Sequence, residues 1–206
     1  LGGLRLYCEE KVKTDLFSIP LFTFDVESQK KELHDLALKL EKESAGNIVS
    51  NQGGFQTQPF GKENEAYQKF VNDNIDSIFK ELNDTYDFRS NVIRPSKGWL
   101  NVNRKGDYNL VHSHCQHDFV GVYYIKVPEG DSGNLVVINP DRQNEFTSYE
   151  NLEYNKYNQG RFSIKPKENL LLIFQGGLDH YVLENKTNDY RISMSFNMDV
   201  IDENNN

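Results

Sequence analysis

Four residues in the second half of the chain have the types and spacings to hold a metal ion with an acid beside it. They are His112 and His114 in Leu110-Val-His-Ser-His-Cys115, His180 in Gly177-Leu-Asp-His-Tyr181, and Arg191 in Tyr190-Arg-Ile-Ser193. Imidazoles at i and i+2 of a strand point to one face, because strand side chains alternate. Imidazole suits iron, zinc or copper, and a mononuclear non-haem iron centre needs three protein ligands on one face with open positions opposite. His180 opens a further predicted strand just after Gly176-Gly177, where small residues allow close approach of a neighbouring strand or cofactor. Arg191 and Ser193 share one face of the last predicted strand, and a guanidinium presents a planar fork of donors that matches a carboxylate. Blander readings compete. His-x-His is also an ordinary polar strand face, His180 could be a turn residue, and Arg191 could sit in a near-neutral surface ion pair. Ile192, Met194 and Phe196 form the opposite, apolar face, so Arg191, Ser193 and Ser195 face either a polar pocket or solvent, and alternation leaves both open.

The elements that must position these residues change character along the chain. Residues 1–15 read as a flexible lead-in, and Leu16 to Phe24 as a strand with Pro20 marking an edge. Leu33, Leu36, Leu38 and Leu40 among charges predict an amphipathic helix over 27–44. The stretch 44–61 is turn-rich. Tyr67, Phe70, Val71, Ile75, Ile78, Phe79 and Leu82 recur at i, i+3, i+4 and predict a second helix over 64–82. Short strands follow near 88–94, 97–104, 108–114, 119–127, 134–139, 160–165, 169–174, 180–185 and 190–199, punctuated by Gly, Asn, Asp and Pro. The pattern is mainly β with N-terminal helices, a barrel or jelly roll with the helices laid along one sheet. The polar, tyrosine-bearing stretch 141–159 has no period and reads as a functional loop or lid. One domain over 16–200 is expected, with helical support at 27–82, a β core at about 88–199 and a tail at 201–206.

Composition narrows the partners. A net charge of −8 argues against a generic nucleic-acid binder, which shows a basic patch. The longest apolar run, Leu170-Leu-Leu-Ile-Phe174, is too short to span a bilayer, and no signal segment opens the chain, so no membrane partner is expected. Two cysteines, Cys8 and Cys115, make no disulfide framework and point to a reducing, cytoplasmic setting, with Cys115 read as a small packed residue. An apolar helix face or an edge strand could pair, which leaves a homodimer open. The chain starts at Leu1 rather than Met, so its N-terminus in the cell could lie elsewhere.

Asn101-Val-Asn103, Gly106-Asp-Tyr108, His112-Ser-His114, Gly121-Val-Tyr-Tyr124, the glycine turn before His180 and Arg191-Ile-Ser-Met-Ser-Phe-Asn197 together resemble the iron(II)- and 2-oxoglutarate-dependent oxygenase superfamily. Within it the chain resembles a bacterial and phage branch marked by His-x-His followed by Ser-Gly-Val-Tyr-Tyr, from which it departs with Val120 in place of the serine and Cys115 in place of a proline, and Ser50-Asn-Gln-Gly-Gly-Phe55 is similar to that branch's N-terminal part. The resemblance implies a double-stranded β-helix (a jelly-roll, cupin-like barrel) around Fe(II), with 2-oxoglutarate as co-substrate. It implies His112 as proximal ligand, His180 as distal ligand, and Arg191 with Ser193 as the clamp for the far carboxylate. Tyr123 and Asn101 are implied as further co-substrate contacts, or else as ordinary hydrogen-bonded barrel residues. The implied activity is hydroxylation of a C–H bond of a protein side chain, amino acid or small metabolite, with succinate and CO2 as co-products. The superfamily's usual first motif is His-x-Asp or His-x-Glu, and this chain contains neither. His114 takes the place of the acid, as a third ligand or as a neighbour of the metal that leaves water bound there. Asp118 has the wrong parity to replace it.

Two alternatives belong to other classes. One is a non-catalytic jelly-roll module that binds a ligand through Tyr149, Tyr154 and Tyr157. The other is a cupin-like dioxygenase that uses three histidines without a co-substrate.

Overall fold

Apolar spacing sets both helices found among the described residues. A computed structural model describes residues 18–89, 91–141 and 158–202. Helix α1 (Lys30–Glu43) buries Leu33 and Ala37, and α2 (Glu65–Tyr86) buries Tyr67, Phe70, Ile78 and Leu82. The start of α2 is fixed by Asn64, whose side-chain oxygen accepts a hydrogen bond from the Tyr67 N–H at 3.0 Å. The helix runs a turn past the predicted Leu82, because Tyr86 is the next residue on the same stripe and packs between Phe88 and Phe119. The expected lead-in over 1–15, most of the 141–159 loop and the last four residues of the tail lie outside the described residues.

Among the described residues, eleven strands form two antiparallel sheets. They are β1 (Phe22–Asp25), β2 (Asn51–Gln52), β3 (Phe55–Gln56), β4 (Asn91–Asn103), β5 (Tyr108–His112), β6 (Phe119–Lys126), β7 (Leu135–Ile138), β8 (Arg161–Ile164), β9 (Leu170–Gln175), β10 (His180–Val182) and β11 (Arg191–Asp202). The larger sheet has the order β1-β9-β6-β11-β4-β3 and the smaller β2-β5-β10-β7-β8. The two strands expected at 88–94 and 97–104 are one. Pro95 is carried within β4 opposite Met198, beside a register shift in which Ser96 and Lys97 of β4 oppose Asn197 of β11 alone.

Strict alternation sorts each strand of the larger sheet between two environments. Leu100 and Val102, Tyr123 and Ile125, Leu171 and Ile173, and Ile192, Met194 and Phe196 face the helices and join Leu33, Phe70 and Leu82 in the main core. Truncating a fully buried ring such as Phe70 to alanine would cost about 3–5 kcal/mol. The opposite face looks across at the smaller sheet. Along β6 and β9 it is apolar, with Val120, Val122, Leu172 and Phe174. Along β4 and β11 it is polar, with Asn101, Asn103, Arg191, Ser193 and Asn197 all buried. The inter-sheet space is therefore dry on one side and hydrogen-bonding on the other.

The turn-rich stretch before α2 contains a corner that the sequence reading missed. Strand β2 pairs with β5 in the smaller sheet, and β3 pairs with β4 in the larger one. Only Gly53 and Gly54 separate them, at φ +66 and +57, a left-handed conformation that suits glycine. A Cβ on Gly53 would stand 2.1 Å from the Asp107 carboxylate. The corner closes one end of the barrel and sets Ser50 and Gln56 on opposite walls of a single cavity.

A candidate metal and dicarboxylate site

His112 ends β5 and His180 begins β10, and these two residues are direct antiparallel partners. Partnered residues stand about 5 Å apart and project from the same face of a sheet, so the pairing brings the rings to 4.4 Å between centroids. His114 does not share the strand, as the i, i+2 argument expected. It lies just beyond β5, where its backbone N–H donates to the Gly176 carbonyl at 2.7 Å. Gly176 is needed there, since a Cβ would lie 2.2 Å from the His117 carbonyl oxygen and 2.8 Å from that of His114. The His114 ring stacks within 15° of His180 and within 8° of Trp99. One ring nitrogen from each of the three histidines falls in a group whose members all lie within 4.8 Å of one another.

Each ring is turned by a hydrogen bond at Nδ1. His112 Nδ1 meets the Leu110 carbonyl at 2.7 Å, His180 Nδ1 the Leu178 carbonyl at 2.8 Å, and His114 Nδ1 the Asn197 side-chain oxygen at 2.7 Å. A carbonyl oxygen can only accept, so each Nδ1 carries the proton and each Nε2 keeps its lone pair. Desolvation holds the rings neutral. It pushes His180 down to about 3, helped by neighbouring His112, and His114 down to about 4 against the opposing Asn197 bond. The His112 pKa is lowered by burial as well. Three neutral imidazoles with oriented second nitrogens are the donor set a transition-metal ion takes. Ring nitrogens bind such ions at about 2.0–2.1 Å, so a small rotation gathers these three around one ion.

Arg191 begins β11 on the far side of the same cavity and is 1% exposed. Its Nη1 donates to the carbonyls of Ser132 and Gly133, the latter at 2.7 Å. Its Nε has no partner, and among the described residues no carboxylate pairs with it. Burial lowers its pKa, and Tyr124 and Asp107 oppose that shift. An unbalanced buried guanidinium costs several kcal/mol, which a carboxylate ligand would recover. A cavity of about 60 Å³ lies between Arg191 and the histidines and opens to solvent.

Of the other expected residues, Ser193 and Asn101 line this cavity, and Asn101 donates to the Ser195 hydroxyl at 3.4 Å. The alternation of β11 is thereby resolved in favour of a pocket rather than solvent. Tyr123 requires a correction. It faces the helices, where its ring lies 4.9 Å from that of Phe70, and Tyr124 is the one that lines the cavity. Parity explains the difference, because Val120 and Val122 share a face with Tyr124. Cys115 is a free, exposed thiol rather than a packed residue. Asp118 accepts from the Val200 N–H at 2.8 Å and stands outside the histidine group. Asn197, Trp99 and Gln56 were missed. Asn197 has the parity of Arg191 and could have been found by extending that face along β11, whereas Gln56 depends on the glycine corner and left no signal.

A family model described as "Putative 2OG-Fe(II) oxygenase" matches residues 97–197, the span from mid-β4 to β11 that carries all three histidines and the arginine. No curated protein sequence matches the chain. Among solved structures, a Pseudomonas putida prolyl-4-hydroxylase is similar at TM-score 0.57 and 14% identity, over 87% of this chain and 93% of that one. A viral collagen prolyl hydroxylase from Paramecium Bursaria Chlorella virus-1, in complex with 2-oxoglutarate, is similar at TM-score 0.55 and 17% identity, over 86% and 94%. HygX from Streptomyces hygroscopicus, with nickel and 2-oxoglutarate bound, is similar at TM-score 0.60 and 9% identity, over 88% and 83%. At these identities the likeness is one of fold, the double-stranded β-helix.

Proposed function

We propose that this chain, which belongs to the 2OG-Fe(II) oxygenases, holds iron(II) on His112, His114 and His180 and the far carboxylate of 2-oxoglutarate on Arg191. The reaction is hydroxylation of a C–H bond in a protein side chain, an amino acid or a small metabolite. Held there, iron and 2-oxoglutarate would supply the oxidising chemistry: one atom of O2 would go to the succinate that remains after loss of CO2, and the other would enter the substrate C–H bond as a hydroxyl. The residues of the chain supply position and environment. Arg191, held by two backbone carbonyls, fixes the end of the dicarboxylate that does not react. Ser193 and Tyr124 flank it from β11 and β6. The apolar wall of Val120, Val122 and Leu135 keeps water from the reacting end. The three Nε2 lone pairs stay free of protons at neutral pH because the rings are desolvated. No lining side chain is asked to shuttle a proton.

The buried, uncompensated Arg191 carries this reading. Three neutral ligands leave the metal's two positive charges unopposed, and Arg191 adds a third. A dicarboxylate spanning the two offsets most of that charge. The test is formation of succinate from 2-oxoglutarate that requires both iron(II) and oxygen. We expect turnover in the wild type and none in His180→Ala or Arg191→Ala. A second reading draws on His114 occupying the usual acid position: a three-histidine dioxygenase that needs no co-substrate. It predicts that Arg191→Ala leaves metal binding and activity untouched. An exposed free thiol at Cys115 supports a reducing, cytoplasmic setting.

A further inference from the structure

One wall of the cavity carries carboxamides that the proposed chemistry does not use. Gln56 on β3 is register partner to Asn101 on β4, which is partner to Ser193 on β11. The three form a row across the larger sheet, and all are buried and line the cavity. Among the described residues the side chains of Gln56 and of Asn103, the register partner of Arg191, are engaged by no neighbouring side chain and border the open cavity. Their amides are open to the contents of the cavity, and a group that displaces water there has to offer them hydrogen bonds in its place. Strands are about 4.8 Å apart, which puts Gln56 about 10 Å from the arginine strand, to one side of a dicarboxylate running from the histidines to Arg191. The same wall has a second property. Among the described residues lining the cavity, Arg191 is the only side chain that bears a full charge, with no aspartate, glutamate or lysine present.

We infer that the part of the primary substrate entering this cavity is uncharged and carries both a hydrogen-bond donor and an acceptor, as a secondary amide or carboxamide does, and that Gln56 reads it. The inference rests on the oxygenase reading, since it takes Arg191 to be occupied by the co-substrate. A charged substrate group would then be desolvated without a counter-ion, a cost of several kcal/mol that the wall cannot offset. An amide matches the Gln56 carboxamide donor for acceptor and acceptor for donor.

The cavity contains its own reporter, because Trp99 is the only tryptophan in the chain and stacks on His114. The protein is loaded with manganese(II) and 2-oxoglutarate, and Trp99 emission is followed during titration with three probes of similar size: neutral N-acetylglycinamide, anionic N-acetylglycine and cationic N-acetylethylenediamine. The neutral probe should bind at least tenfold tighter than either charged one. Gln56→Leu should weaken it at least fivefold while changing 2-oxoglutarate affinity less than twofold. The near-isosteric Gln56→Glu should shift preference towards N-acetylethylenediamine. Equal or tighter binding of a charged probe to the wild type, no response to any probe, or unchanged affinity in Gln56→Leu would each overturn the inference. The oxygenase reading fails separately, at the first step. If 2-oxoglutarate produces no metal-dependent change in Trp99 emission before any probe is added, that reading falls, and the occupied Arg191 that the inference assumes falls with it.

Discussion

His114 holds the position in which an acid is usual, and what makes it a competent ligand is Asn197. A neutral imidazole can hold its proton on either nitrogen, and the 2.7 Å bond from Nδ1 to the Asn197 oxygen selects the form that leaves Nε2 free. His112 and His180 receive the same instruction from backbone carbonyls two residues earlier, a local device that no substitution removes. Asn197 is therefore the replaceable member. Asn197→Ala should weaken iron(II) binding about 10–100-fold, the usual range for losing such a support, with the fold intact by circular dichroism. Calorimetric titration with iron(II) under anaerobic conditions measures it. An unchanged affinity would show that the His114 ring is oriented by stacking on Trp99 alone. At this scale the chemistry was largely legible: three imidazoles and a guanidinium are visible as residue types. Tyr123 was misplaced by one residue because the face of β6 is set by packing against Phe70, which is remote in sequence.

Between elements, the site depends on strand partnership and on backbones that approach closely. The register of β5 against β10 puts His112 beside His180, and periodicity within each strand contains no information about that pairing. The short β2–glycine–β3 corner was illegible for a related reason, since two-residue strands have no period to detect. Glycines carry the close approaches. Gly133 has φ +86, and a Cβ there would lie 2.1 Å from the Leu183 carbonyl oxygen and 2.9 Å from Arg191 Nη1. Gly133→Ala should lower stability by about 1–3 kcal/mol through backbone strain and weaken 2-oxoglutarate binding, because the Gly133 carbonyl holds the guanidinium. Thermal melting and co-substrate titration read the two effects. Gly121→Ala, whose Cβ would meet the Phe196 ring at 2.3 Å, should destabilise the protein to a similar degree, as overpacking of a core does, and leave 2-oxoglutarate affinity unchanged in the folded fraction.

For the whole molecule, burying three neutral histidines ties stability to pH. Unfolded, each imidazole titrates near 6.5; folded, His114 titrates at about 4 and His180 at about 3. Between those values the unfolded chain binds protons that the native protein does not, so the metal-free protein should be fully stable above about pH 6.5 and lose stability as pH falls towards 4. His180→Gln should flatten part of that slope. Urea denaturation at a series of pH values measures it, and a stability independent of pH from 7 to 4.5 would contradict the burial of the three rings. The mainly β architecture with helices on one sheet was readable from the order of periodicities, two helical stretches followed by many short strands. What could not be read was which face of β11 is interior, since serines and an arginine suit solvent as well as a pocket. The two apolar layers settle it, because the helices take Ile192, Met194 and Phe196 and leave Arg191 inside.

The central claim is that one small dicarboxylate spans the distance from three imidazoles to Arg191. Calorimetric titration of 2-oxoglutarate into iron(II)-loaded protein without oxygen tests it most directly, with the wild type set against Arg191→Ala. The account predicts one equivalent bound by the wild type, binding that requires the metal, and an affinity at least about 100-fold weaker in the variant, about 3 kcal/mol for removing the partner of a buried charge. Equal affinity in the two proteins, or binding indifferent to iron, would contradict it.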